Sequence, residues 1–277
     1  MPPTFRTLMA VHAHPDDEAS STGGVLARYA DEGLTTIVVT CTNGELGDLP
    51  GGIKPDHDSH DEELVVKLRK DELERACAIL NVTHLEMLGY RDSGMSDWEH
   101  KGHPEAFCNV PLDESVARLS ALFEKYRPDV VVTYNDKSAY DHPDHIQASR
   151  ITVAAFEQTG IASKLYFTAM RANRFARIRE LLVEQGVEMP ARPEPRPEWI
   201  KKSQEQEALI NAVVDVAPYV ERKLEALRTH ESQIQNFMWN RLPHEALVEV
   251  FGQESFIRVE DSTMASLPEQ DLFAGLR

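Results

Sequence analysis

Short apolar runs alternate along this chain with stretches whose apolar residues recur every three or four positions. TLMAVHAH (7–14) begins apolar and ends polar, which predicts a buried strand opening into a loop at its far end. GGVLARYADEG (23–33) places Val25, Leu26, Tyr29 and Ala30 at helical spacing, with Gly33 set to stop the helix. TTIVVTCT (35–42) is β-branched and apolar, a second buried strand. Strand, helix and strand in close succession imply parallel pairing through a right-handed crossover.

The alternation continues. Residues 43–61 are turn-rich and acidic, 61–82 form a long amphipathic helix, and 83–90 supply a short third strand. Residues 91–111 read as irregular, 113–128 as a helix closed by Pro128, and DVVVTYN (129–135) as another buried strand. A helix follows from Pro143 to Thr159, then a strand over 164–170 and a helix over 171–186. MPARPEPRPEWIKK (189–202) predicts an exposed loop, 210–219 a strand with a helix after it through Arg228, and 246–261 a final hairpin. This order predicts an α/β fold, Rossmann-like and three-layered, with a mostly parallel sheet and a smaller C-terminal α+β portion. We expect one catalytic domain over 1–277, in which 1–164 carries the chemistry and 165–277 completes the fold and caps the pocket.

Composition narrows the partners. The 277 residues are 42% hydrophobic, enough for one large core, and the net charge is -17. Such a surface repels phosphate backbones and anionic lipids, so nucleic acid is not an expected partner, whereas a cation is. Cys41, Cys77 and Cys108 form no CxxC pair, which fits a reducing compartment. The N-terminus shows no signal-peptide run and no window reaches a membrane span, so we expect a cytoplasmic protein without membrane insertion. A homo-oligomer is left open.

Two polar clusters interrupt this regular pattern. HAHPDDE (12–18) follows the first predicted strand, and YDHPDH (140–145) follows DVVVTYN. Either alone reads as a polar turn with proline at a helix start. Both, however, fall at carboxyl ends of strands, where ligands of open α/β sheets bind. His14 and Asp17 are three apart across Pro15, and His145 comes from the second cluster. Two histidines and a carboxylate suit a hydrolytic zinc ion that keeps one position open. Fe(II) can occupy the same set, since His and carboxylate serve several ions. A bound cation lowers the pKa of its water from ~15.7 towards ~7, so the neighbouring Asp16 is expected to act as general base. His142 is expected to stabilise an oxyanion or protonate a leaving amine, with Asp144 orienting it, and Tyr140 to add a hydrogen bond. Glu18 reads as a structural acceptor at the start of the first helix.

AHPDDE (13–18) followed by HPDH (142–145) resembles the PIG-L/LmbE-like zinc N-deacetylases, and the resemblance extends through TCTNGELGD (40–48), Arg69–Glu72, RDSGM (91–95) and VVVTYN (130–135). It implies His14, Asp17 and His145 as metal ligands, Asp16 as base, and His142 and Tyr140 as stabilisers of the tetrahedral intermediate, with Asp144 orienting His142. It also implies Arg69 and Asp92 in sugar binding and Ser21 in the pocket. The expected activity is removal of N-acetyl from an N-acetylglucosamine-containing small molecule of the GlcNAc-inositol kind. The alternative within the family is a mycothiol S-conjugate amidase. A silent sugar- or nucleotide-binding module ranks last, because the ligands and Asp16 are all present and no GxGxxG or P-loop follows the first strand. His57 and His60 read as an acidic solvated loop, His100 and His103 as surface, and Cys41 and Cys77 as core thiols.

Overall fold

A computed structural model describes residues 6–189, 196–234 and 238–277. Strand β1 (Thr7–His12) is buried at every position and lies in the interior of the sheet. It pairs in parallel with β2 (Thr35–Thr42) on one side and β4 (Val130–Thr133) on the other. The seven-stranded order is β3-β2-β1-β4-β5-β7-β6, with β3 at His84–Tyr90, β5 at Lys164–Ala169, β6 at Ala212–Asp215 and β7 at Gln253–Asp261. Only β7 runs antiparallel to its neighbours.

Side chains of β1 alternate between two cores, as a strand buried on both faces requires. Leu8 and Ala10 join α1 (Asp17–Asp31), α2 (Glu62–Ile79) and α7 (Val220–Arg228) on one face. Met9 and Val11 join α3 (Leu112–Tyr126) and α4 (Pro143–Thr159) on the other. A satellite cluster ties α5 (Arg174–Glu184) to α7 and α8 (His244–Phe251). This is the expected three-layer α/β fold. Among the described residues no helix is long and apolar enough to cross a membrane.

Several elements differ from the expectation. Helix α1 starts at Asp17, six residues before Gly23, so the acidic motif forms its first turn, where carboxylates meet the positive end of the helix dipole. The two glycines serve packing. A Cβ on Gly24 would lie 2.6 Å from Val216 Cγ2. The expected hairpin over 246–261 is instead α8 followed by β7: Ala246, Leu247, Val250 and Phe251 are buried at helical spacing. Within 189–202, residues 190–195 lie outside the described residues, and Pro197 opens helix α6 (Pro197–Glu207), where its missing N–H costs nothing. The strand over 210–219 is confined to β6.

The chain runs β1, β2, β3 in one direction and then returns to place β4 on the other side of β1. The reversal opens a crevice at the carboxyl ends of β1 and β4. Both polar clusters lie there.

Candidate metal centre and active site

The loop leaving β1 turns through Asp16, whose φ of 114° and ψ of -25° are unusual for a residue with a side chain. Three anchors hold it. The Asp16 N–H donates to Glu18 Oε2 at 2.9 Å, and Glu18 Oε1 lies 2.8 Å from His230 Nε2. Arg69 on α2 donates from Nη2 to the Pro15 carbonyl at 2.5 Å and to Asp16 Oδ2 at 3.2 Å, and from Nη1 to the Gly44 carbonyl at 2.9 Å. Backbone strain of this kind costs about 1–3 kcal/mol and persists where the surroundings over-determine it. Burial pushes the Asp16 carboxyl up to about 6, against the pull of Arg69.

Asp17, in the first turn of α1, faces two imidazoles. Its Oδ2 lies 3.5 Å from His14 Nδ1 and 3.4 Å from His145 Nε2. One donor atom from each of the three falls within 4.8 Å of the others. Tyr134 at the end of β4 stacks on His145, ring centroids 4.0 Å apart, and accepts the Ala13 N–H at 2.9 Å. It thereby ties the two loops together. Two imidazoles and one carboxylate match three-ligand zinc sites that keep a position open.

A second group, His14 with Asp92, His142 and Asp144, is as close. Its carboxylates are already engaged. Asp144 accepts from Ser93 N at 2.9 Å and from Ser93 Oγ, and Asp92 Oδ1 accepts from Gly94 N at 2.8 Å. Asp144 Oδ2 also lies 3.1 Å from His14 Nε2, the nitrogen turned away from Asp17. A carboxylate behind a ligating imidazole fixes its orientation and raises its basicity. Burial disfavours charge on His14, yet Asp92, Asp144 and Asp17 outweigh it and hold its pKa well above the ordinary value. Surroundings that retain a proton there favour a cation at the same place.

The partner expected for Asp144 is corrected by this geometry: its carboxylate faces His14 and Ser93, not His142. Only its backbone N–H reaches His142, donating to Nδ1 at 3.2 Å as His142 caps α4. The neutral ring therefore carries its proton on Nε2. Burial, with the His14 and His145 rings close by, pushes His142 down to about 3. The His142 ring centroid is 4.5 Å from that of His14. Tyr140 is 51% exposed at the rim, 5.0 Å from the His145 ring.

His14, Asp16, Asp17, Tyr140, His142 and His145, with Ser21, Arg69 and Asp92, line one cavity of about 710 Å³. Arg69 is buried and its Nη atoms are turned to the loop and Asp16, so it supports the expected base, which the sequence did not reveal. Other supports were also missed: Ser93, Tyr134 and the THESQ segment. From that segment His230 holds Glu18, while Ser232 donates to Glu72 from N at 2.9 Å and from Oγ at 2.7 Å. The signal was a run of polar residues after α7, with no period to assign it.

Comparison with known proteins gives the family. The family model described as GlcNAc-PI de-N-acetylase, PIG-L, matches residues 9–156. The chain is 36% identical to a 1D-myo-inositol 2-acetamido-2-deoxy-alpha-D-glucopyranoside deacetylase of Acidothermus cellulolyticus, covering 98% of this chain and 95% of that protein. It is 33% identical to a mycothiol S-conjugate amidase of Streptomyces coelicolor, covering 98% and 97%. Among solved structures, the N,N'-diacetylchitobiose deacetylase from Pyrococcus horikoshii shares the fold, with a TM-score of 0.62 at 19% identity over 93% of this chain and 85% of that one.

Proposed function

This chain belongs to the GlcNAc-PI de-N-acetylase (PIG-L) family, and we propose that it is a zinc-dependent amide hydrolase that removes acetyl from an N-acetylglucosamine-containing conjugate of the GlcNAc-inositol kind. The observation that carries the reading is the convergence of His14, Asp17 and His145 on one point beside Asp16. Zinc held by these three would supply Lewis acidity to the amide carbonyl and to the attacking water.

The protein's own groups do the rest. Asp16, its carboxyl raised to about 6 by burial, takes a proton from the water and passes it to the departing amine. Its strained backbone, clamped by Arg69 and Glu18, fixes the direction of that transfer. His142 presents Nε2–H to the oxygen that becomes negative, and burial keeps the ring neutral for that task. Tyr140, at the rim, adds a hydroxyl to the same oxygen and shields it from water. Asp92 and Ser21, on the cavity wall, are placed to meet sugar hydroxyls. Three free thiols, two of them buried, fit the reducing cytoplasm we assign to the enzyme.

The test is acetate release by the zinc-loaded protein, with metal content measured in parallel. Asp16→Asn is expected to lower kcat by about 10²–10⁴-fold while metal content stays unchanged. Full activity in that variant, or a purified protein that takes up no transition metal, removes the proposal. The mycothiol S-conjugate amidase reading is favoured by one observation: the cavity runs on past the ligands to Phe175, Ile178 and Trp239, more room than an acetyl group uses. Rates on an acetylated amino sugar and on an S-conjugate, measured side by side, decide between them.

A further inference from the structure

One arm of this cavity carries a guanidinium that, among the described residues, no acceptor hydrogen-bonds. Arg174, in the first turn of α5, lines both the main cavity and an adjoining one of about 240 Å³. Its guanidinium lies over the Phe251 ring, 4.8 Å from the centroid. Other recessed arginines are engaged: Arg69 by carbonyls and Arg91 by Glu62. Arg174 is half-buried, and burial lowers its pKa, so its guanidinium is partly desolvated while its donors stay open to the cavity.

The carboxylate that acts on Arg174 is Glu254, and its oxygens are already taken. Oε1 accepts from Gly24 N and from Lys223 Nζ, and Oε2 accepts from Val25 N. Lys223 pairs with this carboxylate, Arg174 feels its charge without a hydrogen bond to it, and both cations line the cavity that also carries Asp16, Asp17 and Asp92. In a chain of net charge -17 a local surplus of positive charge is not the average condition of the surface. A neutral sugar needs none. A planar guanidinium held by an aromatic face presents a fixed fork of donors, which matches a carboxylate or phosphate in two-point contact.

We propose that this arm is a subsite for an oxyanion carried on the aglycone of the substrate, with Arg174 as its ligand and Ser21 at the passage between the two cavities. The assignment rests on the amide-hydrolase reading only for the direction from which the sugar enters.

The experiment compares alkyl glycosides of N-acetylglucosamine ended by a methyl group, a carboxylate or a phosphate monoester, with linkers of increasing length. Binding to the zinc-loaded protein is measured by calorimetry and acetate release by steady-state kinetics. At the linker length that spans the cavity, the anionic glycosides are expected to bind about tenfold or more tightly than the methyl-ended one, the worth of one charge-assisted hydrogen bond. The gain falls in Kd and KM, not in kcat. Arg174→Gln is expected to abolish that preference and Arg174→Lys to retain part of it, with thermal melting checking that each is folded. A preference for phosphate alone or carboxylate alone names the anion and supports the subsite. No preference at any length, or one that survives Arg174→Gln, overturns it. Arg174-dependent binding without acetate release leaves the subsite standing and removes the hydrolase reading, and acetate release without preference does the reverse.

Discussion

Asp144 acts on the site through another residue. Its carboxylate, held by Ser93 and 3.1 Å from His14 Nε2, sets the angle at which the opposite nitrogen faces Asp17. Asp144→Asn keeps the shape and removes the charge. We expect it to weaken zinc affinity about 10–100-fold, read by chelator competition; unchanged affinity refutes the role. His230 makes the other buried pair, with Glu18. Burial disfavours its charged form, but Glu18 outweighs this, so its pKa is raised. The folded state therefore holds the His230 proton more firmly than the unfolded chain does. That stability is fully present below the unfolded value of about 6.5 and is lost as pH rises through the higher folded value. The urea midpoint of the native protein should fall on going from mildly acid to alkaline pH by more than that of His230→Gln, and parallel curves contradict the assignment. The meeting of His14, Asp17 and His145 was legible because each follows a strand of unmistakable pattern. His230 was not, since it reaches Glu18 across 212 positions and no local period encodes such a link.

At the scale of elements, the sequence reads best where a strand is buried on both faces and a helix on one. β1, β2, β4 and α4 lie close to where their apolar patterns put them. Two kinds of element did not. Helix α1 absorbs a motif whose polar residues look like a loop, because its first turn faces the crevice rather than water. Helix α8 and strand β7 each alternate two β-branched residues with polar ones, and burial of α8 against α5 and α7 separates them. The packing of α1 makes a sharp prediction. Gly24 lies against Val216, and its N–H donates to Glu254 at 2.8 Å. An added methyl would stand 2.6 Å from Val216 Cγ2 and 2.9 Å from Glu254 Oε1, so it must displace either the β6–α7 connection or the carboxylate that also holds Lys223. Although alanine favours helix by about 1 kcal/mol over glycine, overpacking costs about 1–3 kcal/mol. We expect Gly24→Ala to be destabilising in denaturant titration, and a stabilised variant contradicts the close approach.

For the molecule as a whole, the question is whether residues 165–277 form a separate unit. Their apolar contacts argue against it. β5 extends the sheet from β4, β7 pairs with β5, and Phe256, Leu272 and Phe273 lie in the same core as Leu8 and Val25. Polar links return as well: Glu254 accepts two backbone N–H groups of α1, His230 holds Glu18, and Ser232 holds Glu72. Cutting after residue 164 would leave Glu18 and Glu72 buried without these partners, a penalty of several kcal/mol beyond the lost core. We therefore propose that the N-terminal and C-terminal portions form one cooperative body, for which calorimetry should show a single transition whose van't Hoff and calorimetric enthalpies agree. The ligand triad sharpens this. Asp17 opens α1 and His145 lies in the first turn of α4, so a metal held by both would join helices on opposite faces of the sheet. A ligand that binds only the folded state stabilises by RT ln(1 + [L]/Kd), about 4 kcal/mol at a thousandfold excess over Kd. Chelation should therefore lower the one transition as a unit. A second transition at lower temperature, moved by chelator while the first stays fixed, would show that the site melts apart from the rest and that the chain is two bodies.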